Sequence, residues 1–209
     1  MSRGRFITFE GGEGAGKSTQ IRHLGARLEA TGKKILTTRE PGGAPGALEI
    51  RKLLVEGAVD RWEPLSELLL HNAARHEHVR KAVAPALAAG TWVLCDRFAD
   101  STMAYQGYAQ QVDRDQVARV NRLAAGETWP DLTLILDLPV ADGLVRARGR
   151  QDGEDRYERM GGDFHERIRT AFLAIAAADP ARCAIIDARG DEETVAARVW
   201  DAVQARLKL

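Results

Sequence analysis

The sequence has few of the features that would place it in a specialised class of protein. Its 209 residues include only two cysteines, Cys95 and Cys183, too few for the disulfide framework of a small secreted domain. No apolar run approaches the roughly 20 residues that span a bilayer, and the N-terminus lacks the charged and then apolar pattern of a targeting signal. We therefore expect a cytoplasmic globular protein without a membrane partner.

The chain also lacks net charge, because 30 basic residues are balanced by 30 acidic ones. Nucleic-acid-binding proteins usually carry a basic excess, so a nucleic acid is not the expected partner. Any anionic partner is expected to be small. Hydrophobic residues make up 44% of the sequence, which is enough for the core of one domain spanning residues 1–209.

Short apolar runs alternate with longer segments of helical spacing. Helical spacing is clear at Ile21, Leu24 and Leu28, and again at Val195 and Val199. The apolar runs look like strands covered on both faces, and they lie at 5–10, 33–38, 91–96, 132–138 and 183–188. This alternation predicts a three-layer α/β fold with a central five-stranded parallel sheet flanked by helices.

A cluster of glycines follows the first expected strand and precedes the first expected helix. From Gly11 the chain fits G-x-x-x-x-G-K-[ST], with Gly16, Lys17 and Ser18 in the last three positions. Backbone N–H groups of such a loop point at a phosphate, and the helix N-terminus and Lys17 add positive charge. A glycine-rich turn that binds nothing is the alternative, but the strand and helix on either side favour a nucleoside triphosphate site. Its expected residues are Gly11, Gly12, Glu13, Gly14, Ala15, Gly16, Lys17, Ser18 and Thr19.

An acidic and a basic residue end the third expected strand. Ligands of open α/β sheets bind outside the carboxyl ends of the strands, so Asp96 and Arg97 should face the same crevice as the glycine-rich loop. Asp96 is then a candidate partner for Mg²⁺, together with the Ser18 hydroxyl. Arg97 could hold a second phosphate, although a surface salt bridge is an alternative for this pair.

Arginines are dense in an irregular segment at about 148–163 that has almost nothing apolar to anchor it. Arg146, Arg148, Arg150 and Arg156 lie in it or beside it. Phosphoryl transfer requires positive charge at the transferred group and exclusion of water, and a mobile arginine-bearing lid would supply both. A charged, solvated helix end is an equally good interpretation of the segment by itself.

Four motifs together resemble bacterial thymidylate kinase. They are EGGEGAGKST at 10–19, TREPGG at 38–43, DRFADSTMAYQG at 96–107, and the arginine-rich segment before DRYE at 155–158. In this order they are a specific signature, and the resemblance extends from residue 6 to about residue 175. It implies a P-loop NTPase fold with a mobile lid, phosphorylation of dTMP to dTDP by ATP with Mg²⁺, and a homodimer.

The resemblance also implies roles for individual residues. Arg51 and Arg97 match ligands of the acceptor phosphate, Arg75 matches the residue that reaches the thymine carbonyl, and Tyr105 matches an aromatic that disfavours ribose. A monophosphate acceptor needs cations more than a base, which fits Lys17, Arg97 and Arg150 as the catalytic set. The substrate-binding residues implied are Glu13, Arg51, His71, Arg75, Arg97, Ser101, Thr102, Tyr105 and Gln106.

Gly14 indicates the subgroup of that family that the chain resembles, and His71 departs from the usual pattern. One subgroup carries a catalytic arginine after the acidic residue of the loop, and Gly14 stands in that place here. In the other subgroup the lid supplies this arginine, so Arg150 is the candidate, with Arg148 and Arg146 behind it. His71 replaces a phenylalanine that stacks on thymine; it would stack more weakly and with a pH-dependent charge, or else lie hydrogen-bonded within the helix packing.

Two other functions compete with this interpretation. A deoxynucleoside kinase shares the loop, the Asp-Arg pair and an arginine-rich lid, but it would need a carboxylate base such as Glu10 or Glu40. A GTPase-type switch would need a guanine-reading N-K-x-D signature, and the sequence has none.

Overall fold

The computed structural model describes residues 3–147, 156–157 and 159–208, in which strands and helices alternate. The strands are β1 (Phe6–Glu10), β2 (Ile35–Arg39), β3 (Trp92–Asp96), β4 (Leu132–Asp137) and β5 (Cys183–Asp187). The α-helices are α1 (Lys17–Ala30), α2 (Pro45–Val55), α3 (Pro64–His78), α4 (Ala84–Ala88), α5 (Ala99–Thr102), α6 (Arg114–Ala125), α7 (Val140–Ala147), α8 (Gly162–Ala178) and α9 (Glu192–Leu207). Two π-helical segments, π1 (Val79–Val83) and π2 (Met103–Ala109), continue α3 and α5.

The five strands form one parallel sheet in the order β2-β3-β1-β4-β5. The predicted five-stranded parallel sheet is therefore confirmed. In the register between β1 and β3, Phe9 lies opposite Asp96. This pairing brings the loop after β1 beside the residues that follow β3, which is how the sheet assembles the site described below.

The two faces of the sheet bury different helices. Ile7 and Phe9 of β1 point to one face, where they pack in a cluster with apolar side chains of α1 and α9. Phe6 points to the other face and packs with residues of π1, α4 and the start of α5. Farther along that second face, Ile135 packs against π2 and α8. Helices on both sides of the sheet make the predicted three layers.

Strand coverage differs from the sequence prediction at the two edges. In β2, Thr37 and Arg39 are exposed, and in β5 the side chain of Ile185 is 51% exposed. The expectation that every strand is covered on both faces is wrong for β2 and β5. Both are edge strands, and a sheet edge extends beyond the helices that cover the centre.

The described end of the arginine-rich segment is anchored, contrary to expectation. Residues 148–155 and 158 lie outside the described part of the chain. Arg156 is only 1% exposed, and its guanidinium donates hydrogen bonds to the backbone carbonyls of Leu54, Ala58 and Val59. An ion pair with Glu67 adds to these contacts. The prediction that Arg156 belongs to an unanchored segment is therefore wrong, because polar contacts hold it although apolar side chains are scarce there. Helix α8 begins already at Gly162.

Candidate active site

The loop from Gly11 to Gly16 follows β1 and leads into α1 at Lys17. Gly14 and Gly16 have φ angles of 67° and 89°, a region of backbone conformation that glycine adopts at little cost. A Cβ atom on Gly14 would also collide with the carbonyl oxygen of Gly143 in α7. An arginine in place of Gly14 would thus need both a strained backbone and a displaced α7.

Lys17, Ser18 and Asp96 meet at the mouth of this loop. The ammonium group of Lys17 donates to the carbonyl oxygens of Gly11 at 3.2 Å and Gly12 at 2.9 Å. Burial, and then repulsion by Arg97, lower the pKa of Lys17 to about 8. The Ser18 hydroxyl donates to Asp96 Oδ2 at 2.8 Å. The structure thus brings together the predicted phosphate-binding lysine and the two predicted metal partners.

Arg97 crosses the cavity toward the loop from the end of β3. Its φ of 69° is unusual for a residue with a side chain, and such conformations persist at sites where the surrounding structure imposes them. The guanidinium donates to Glu13 Oε1 at 2.7 Å, to the Gly11 carbonyl at 3.1 Å and to Ser101 Oγ at 3.2 Å. Burial opposes its charge, but Tyr105 and Glu13 raise the pKa of Arg97 above its ordinary range.

Glu13 is held by two groups from the far side of the cavity. Besides Arg97, the phenol of Tyr105 donates to Glu13 Oε1 at 2.8 Å. Burial alone would raise the pKa of Glu13, but Arg97 and Lys17 lower it to about 2. Glu13 is therefore an anion at neutral pH, and it belongs to the wall shared with Tyr105 and Arg97.

Arg75 lies buried at the inner end of the cavity and is 2% exposed. Its Nε donates to Glu40 at 2.8 Å, and its Nη1 donates to Asn72 and Asn121 at 3.0 and 2.8 Å. Its Nη2 donates to Thr102 Oγ1 at 2.7 Å. Because a guanidinium has five N–H groups, these bonds leave one N–H of Nη2 for a ligand.

His71 shares this end of the cavity with Tyr157. Its Nε2 lies 2.9 Å from the phenol oxygen of Tyr157, and the two rings are tilted with centroids 6.3 Å apart. Burial lowers the pKa of His71 to about 4. The expected charge change near neutral pH is therefore wrong, because His71 stays neutral above pH 5.5. His71 is hydrogen-bonded to Tyr157 and also lines the cavity.

A single cavity gathers most of the predicted site residues. Those that line it are Glu13, Lys17, Ser18, Arg51, His71, Arg75, Asp96, Arg97, Ser101, Thr102, Tyr105 and Gln106. The other predicted loop residues are neighbours of these in the chain and do not line the cavity; they are Gly11, Gly12, Gly14, Ala15, Gly16 and Thr19. Arg150 and Arg148 lie outside the described residues, and Arg146 is an exposed residue near the end of α7.

Comparison with known proteins identifies the family. The family model for thymidylate kinase matches residues 9–199. The chain belongs to the thymidylate kinase family. It is 53% identical to a thymidylate kinase of Caulobacter vibrioides over the whole of both chains. It is 52% identical to one of Bradyrhizobium diazoefficiens, over 98% of this chain and 91% of that one. A solved thymidylate kinase structure from Ehrlichia chaffeensis matches 97% of this chain and 99% of its own, at 34% identity and a TM-score of 0.78.

Thymidylate kinases phosphorylate dTMP with ATP, and the cavity agrees with a phosphate acceptor better than with a hydroxyl. Glu10 is completely buried and accepts hydrogen bonds from the backbone N–H of Phe98 and the hydroxyl of Ser101. Both oxygens of Glu40 are engaged as well, by Arg75 and His78. Glu10 does not line the cavity and both oxygens of Glu40 are already paired, so a deoxynucleoside kinase is not favoured.

Sequence reasoning missed part of the wall of this thymidylate kinase cavity. The additional lining residues are Arg39, Glu40, Pro41, Val55, Phe98 and Tyr157. Most of them stand inside the motifs that carried the resemblance, so the motifs themselves could have indicated them. Val55 is the exception, since it ends α2 outside every motif and reaches the cavity only through the packing of α2 on α3.

Proposed function

We propose that this thymidylate kinase binds dTMP in the described cavity, with its phosphate near Arg97 and Arg51 and its base at Arg75. The observation that carries the assignment is the convergence of Lys17, Arg97 and the spare N–H of Arg75 on one cavity. The first two supply charge for phosphates. The third is a donor suited to a base carbonyl.

The acceptor requires positioning more than proton removal. A phosphate monoester has a second pKa near 6, so it is mostly dianionic at neutral pH and attacks the γ-phosphate without a general base. Arg97 lies between the loop and the acceptor wall and can contact both phosphates. Its bonds to Glu13 and Ser101 hold the guanidinium across the cavity before either substrate binds.

Tyr105 is assigned to the sugar of the acceptor. Its phenol is tied to Glu13, and its ring lies beneath the Arg97 guanidinium, with 5.3 Å between the Cζ atom and the ring centroid. Contacts on both sides leave the ring little freedom to move aside. We therefore assign to it the rejection of a 2′-hydroxyl, which would have to enter against a fixed ring.

The residues present fit a magnesium ion that accompanies ATP. Ser18 and Asp96 already place their oxygens 2.8 Å apart beside the loop, and Mg²⁺ prefers a few protein oxygens with the remaining positions filled by phosphates and water. Among the described residues no group of three or more histidine, cysteine or acidic side chains could hold a metal. Ser18 and Asp96 would thus hold the ion only together with the nucleotide, where it neutralises phosphate charge.

The catalytic arginine is assigned to the lid, at Arg150. Support comes from Gly14, since the collision of any side chain there with Gly143 closes the position that the other subgroup of the family uses. Arg150 itself lies outside the described residues. Arg146 is exposed and Arg156 is buried in carbonyl contacts, which makes both of them poorer candidates.

Replacing Arg150 tests the assignment. In Arg150→Ala we expect kcat to fall by about a hundredfold or more, because a transition-state charge contact is lost. The dissociation constant of dTMP, measured by titration calorimetry, should change less than threefold. Arg146→Ala is the matched control and should keep most of the turnover. An unchanged kcat in Arg150→Ala would refute the assignment.

We also propose that the chain works as a homodimer in the cytoplasm, where ATP and free nucleotides are available. Support for the dimer is a group of exposed leucines on two packed helices. Leu65 and Leu69 lie one turn apart on α3 and are 42% and 52% exposed, and α2 exposes Leu48 and Leu53.

In the described part of the chain no helix is long and apolar enough to cross a membrane.

A further inference from the structure

A buried carboxylate lies behind the acceptor cavity. Glu67 of α3 is completely buried, and its Oε1 accepts hydrogen bonds from Gln106 Nε2 at 2.7 Å and from Gln110 Nε2 at 2.9 Å. Its Oε2 lies 2.6 Å from Arg156 Nη1 in an ion pair. Glu67 does not line the cavity, but Gln106 does. One carboxylate thus joins α3, π2 and the chain that follows α7.

Arg156 keeps Glu67 an acceptor. A guanidinium can only donate hydrogen bonds, and three backbone carbonyls fix that of Arg156 in place opposite Glu67. A carboxylate paired with a guanidinium in this way can only accept hydrogen bonds. Every group that contacts Oε1 must therefore present an N–H or O–H.

This requirement fixes the orientation of the Gln106 amide. A glutamine amide has a donor end and an acceptor end, and the pattern of hydrogen bonds decides which end points where. Because the NH₂ of Gln106 faces Glu67, its carbonyl oxygen is the end left for the cavity. Gln106 is 1% exposed, so a flipped amide would bury a carbonyl against a carboxylate, at a cost of more than one lost hydrogen bond.

We infer that Glu67 is a positioning residue that selects the acceptor base: through Gln106 it presents a hydrogen-bond acceptor to the pairing edge of the base. Thymine carries an N–H at N3 and satisfies this acceptor. Cytosine carries a lone pair at the same atom and leaves it unsatisfied. The inference rests on the proposed placement of dTMP and extends it to how the base is chosen.

Arg75 makes a second and separate contribution to the same choice. Its spare N–H suits the O4 carbonyl of thymine and opposes the amino group that cytosine carries there. Arg75 hydrogen-bonds to Glu40, Asn72, Asn121 and Thr102, and none of these bonds involves Glu67. A change at Glu67 should therefore remove only the Gln106 part of the discrimination.

The test compares dTMP and dCMP as acceptors in the full-length enzyme. In Glu67→Gln the new amide can face Gln106 with either end, so the Gln106 amide is free to turn. We expect the ratio of kcat/KM for dTMP over dCMP to fall about tenfold, the value of one hydrogen bond, with KM for ATP unchanged. Gln106→Leu should lower the ratio by a similar factor and remains informative if Glu67→Gln does not fold. In the double variant the ratio should fall no further.

Gln110→Ala is the matched control, because Gln110 contacts the same oxygen of Glu67 but does not line the cavity. It should leave the dTMP to dCMP ratio unchanged. An equal loss in Gln110→Ala, additive losses in the double variant, or an unchanged ratio in either single variant would overturn the inference. A wild-type enzyme that phosphorylates neither acceptor would instead overturn the placement of dTMP on which the inference rests.

Discussion

The charges of the central residues depend on one another. Burial would raise the pKa of Glu13, but Arg97 and Lys17 lower it to about 2. Burial, and then repulsion by Arg97, lower the pKa of Lys17 to about 8. The positive charge of Lys17 is thus held at a cost in free energy when no anion is bound. A bound polyanion lowers that cost because it supplies the missing opposite charge.

Lys17 should make ATP binding depend on pH. The triphosphate raises the lowered pKa of Lys17 back toward its ordinary value of 10.5, so the complex takes up a proton when ATP binds above about pH 8. Affinity should fall as the pH rises through 8, approaching tenfold per pH unit. Calorimetry at pH 8.5 in two buffers of different ionisation enthalpy measures this uptake.

The matched control for that measurement is Lys17→Arg. An arginine stays protonated in both states, so its apparent binding enthalpy should not depend on the buffer. A wild-type enthalpy that is equally independent of the buffer would contradict the account of Lys17.

At the scale of secondary-structure elements, the phosphate loop and α7 lie in backbone contact. The side-chain-free positions Gly14 and Gly143 allow this approach, and α7 ends at Ala147, directly before the arginine-rich segment. The position of the loop and the position of α7 are therefore set together.

Gly143→Ala should displace the loop. A Cβ atom at Gly143 would collide with the carbonyl oxygen of Glu13, and the backbone on either side would have to shift. We expect kcat/KM for ATP to fall about tenfold or more, because small displacements at a phosphate site are costly in rate. Gly162→Ala at the start of α8 meets no atom within 4 Å and serves as the control in kinetics and thermal unfolding. Equal kinetics in the two variants would show that the contact does not position the loop.

The sequence predicted the positions of the strands better than the burial of their side chains. All five strands were found, since runs such as 132–138 are apolar and short, but exposure of β2 and β5 follows from their place at the edges of the sheet. The loop residues could be proposed from the sequence because their chemistry is local in sequence. The ion pair between Glu67 and Arg156 was not predicted, because two residues separated by that much chain leave no periodic or spacing signal.

At the scale of the whole molecule, the exposed leucines of α2 and α3 predict how two copies meet. A dimer that buries this face should have a molar mass twice the 22.9 kDa of one chain. Leu69→Glu places a charge in the apolar contact and should give monomers in light scattering at micromolar concentration. Val145→Glu, a change at another exposed apolar residue, should leave the dimer intact. Wild-type protein that is monomeric at these concentrations would refute the proposal.

The cavity joins residues from 13 to 157 into one site. We propose that it holds the phosphates of ATP and of a thymine deoxyribonucleotide. The most direct test is a coupled assay of ATP consumption with dTMP, dUMP, dCMP, AMP, GMP and thymidine as acceptors. The account predicts the highest kcat/KM with dTMP and no transfer to thymidine. Preference for any other acceptor in this set would contradict it.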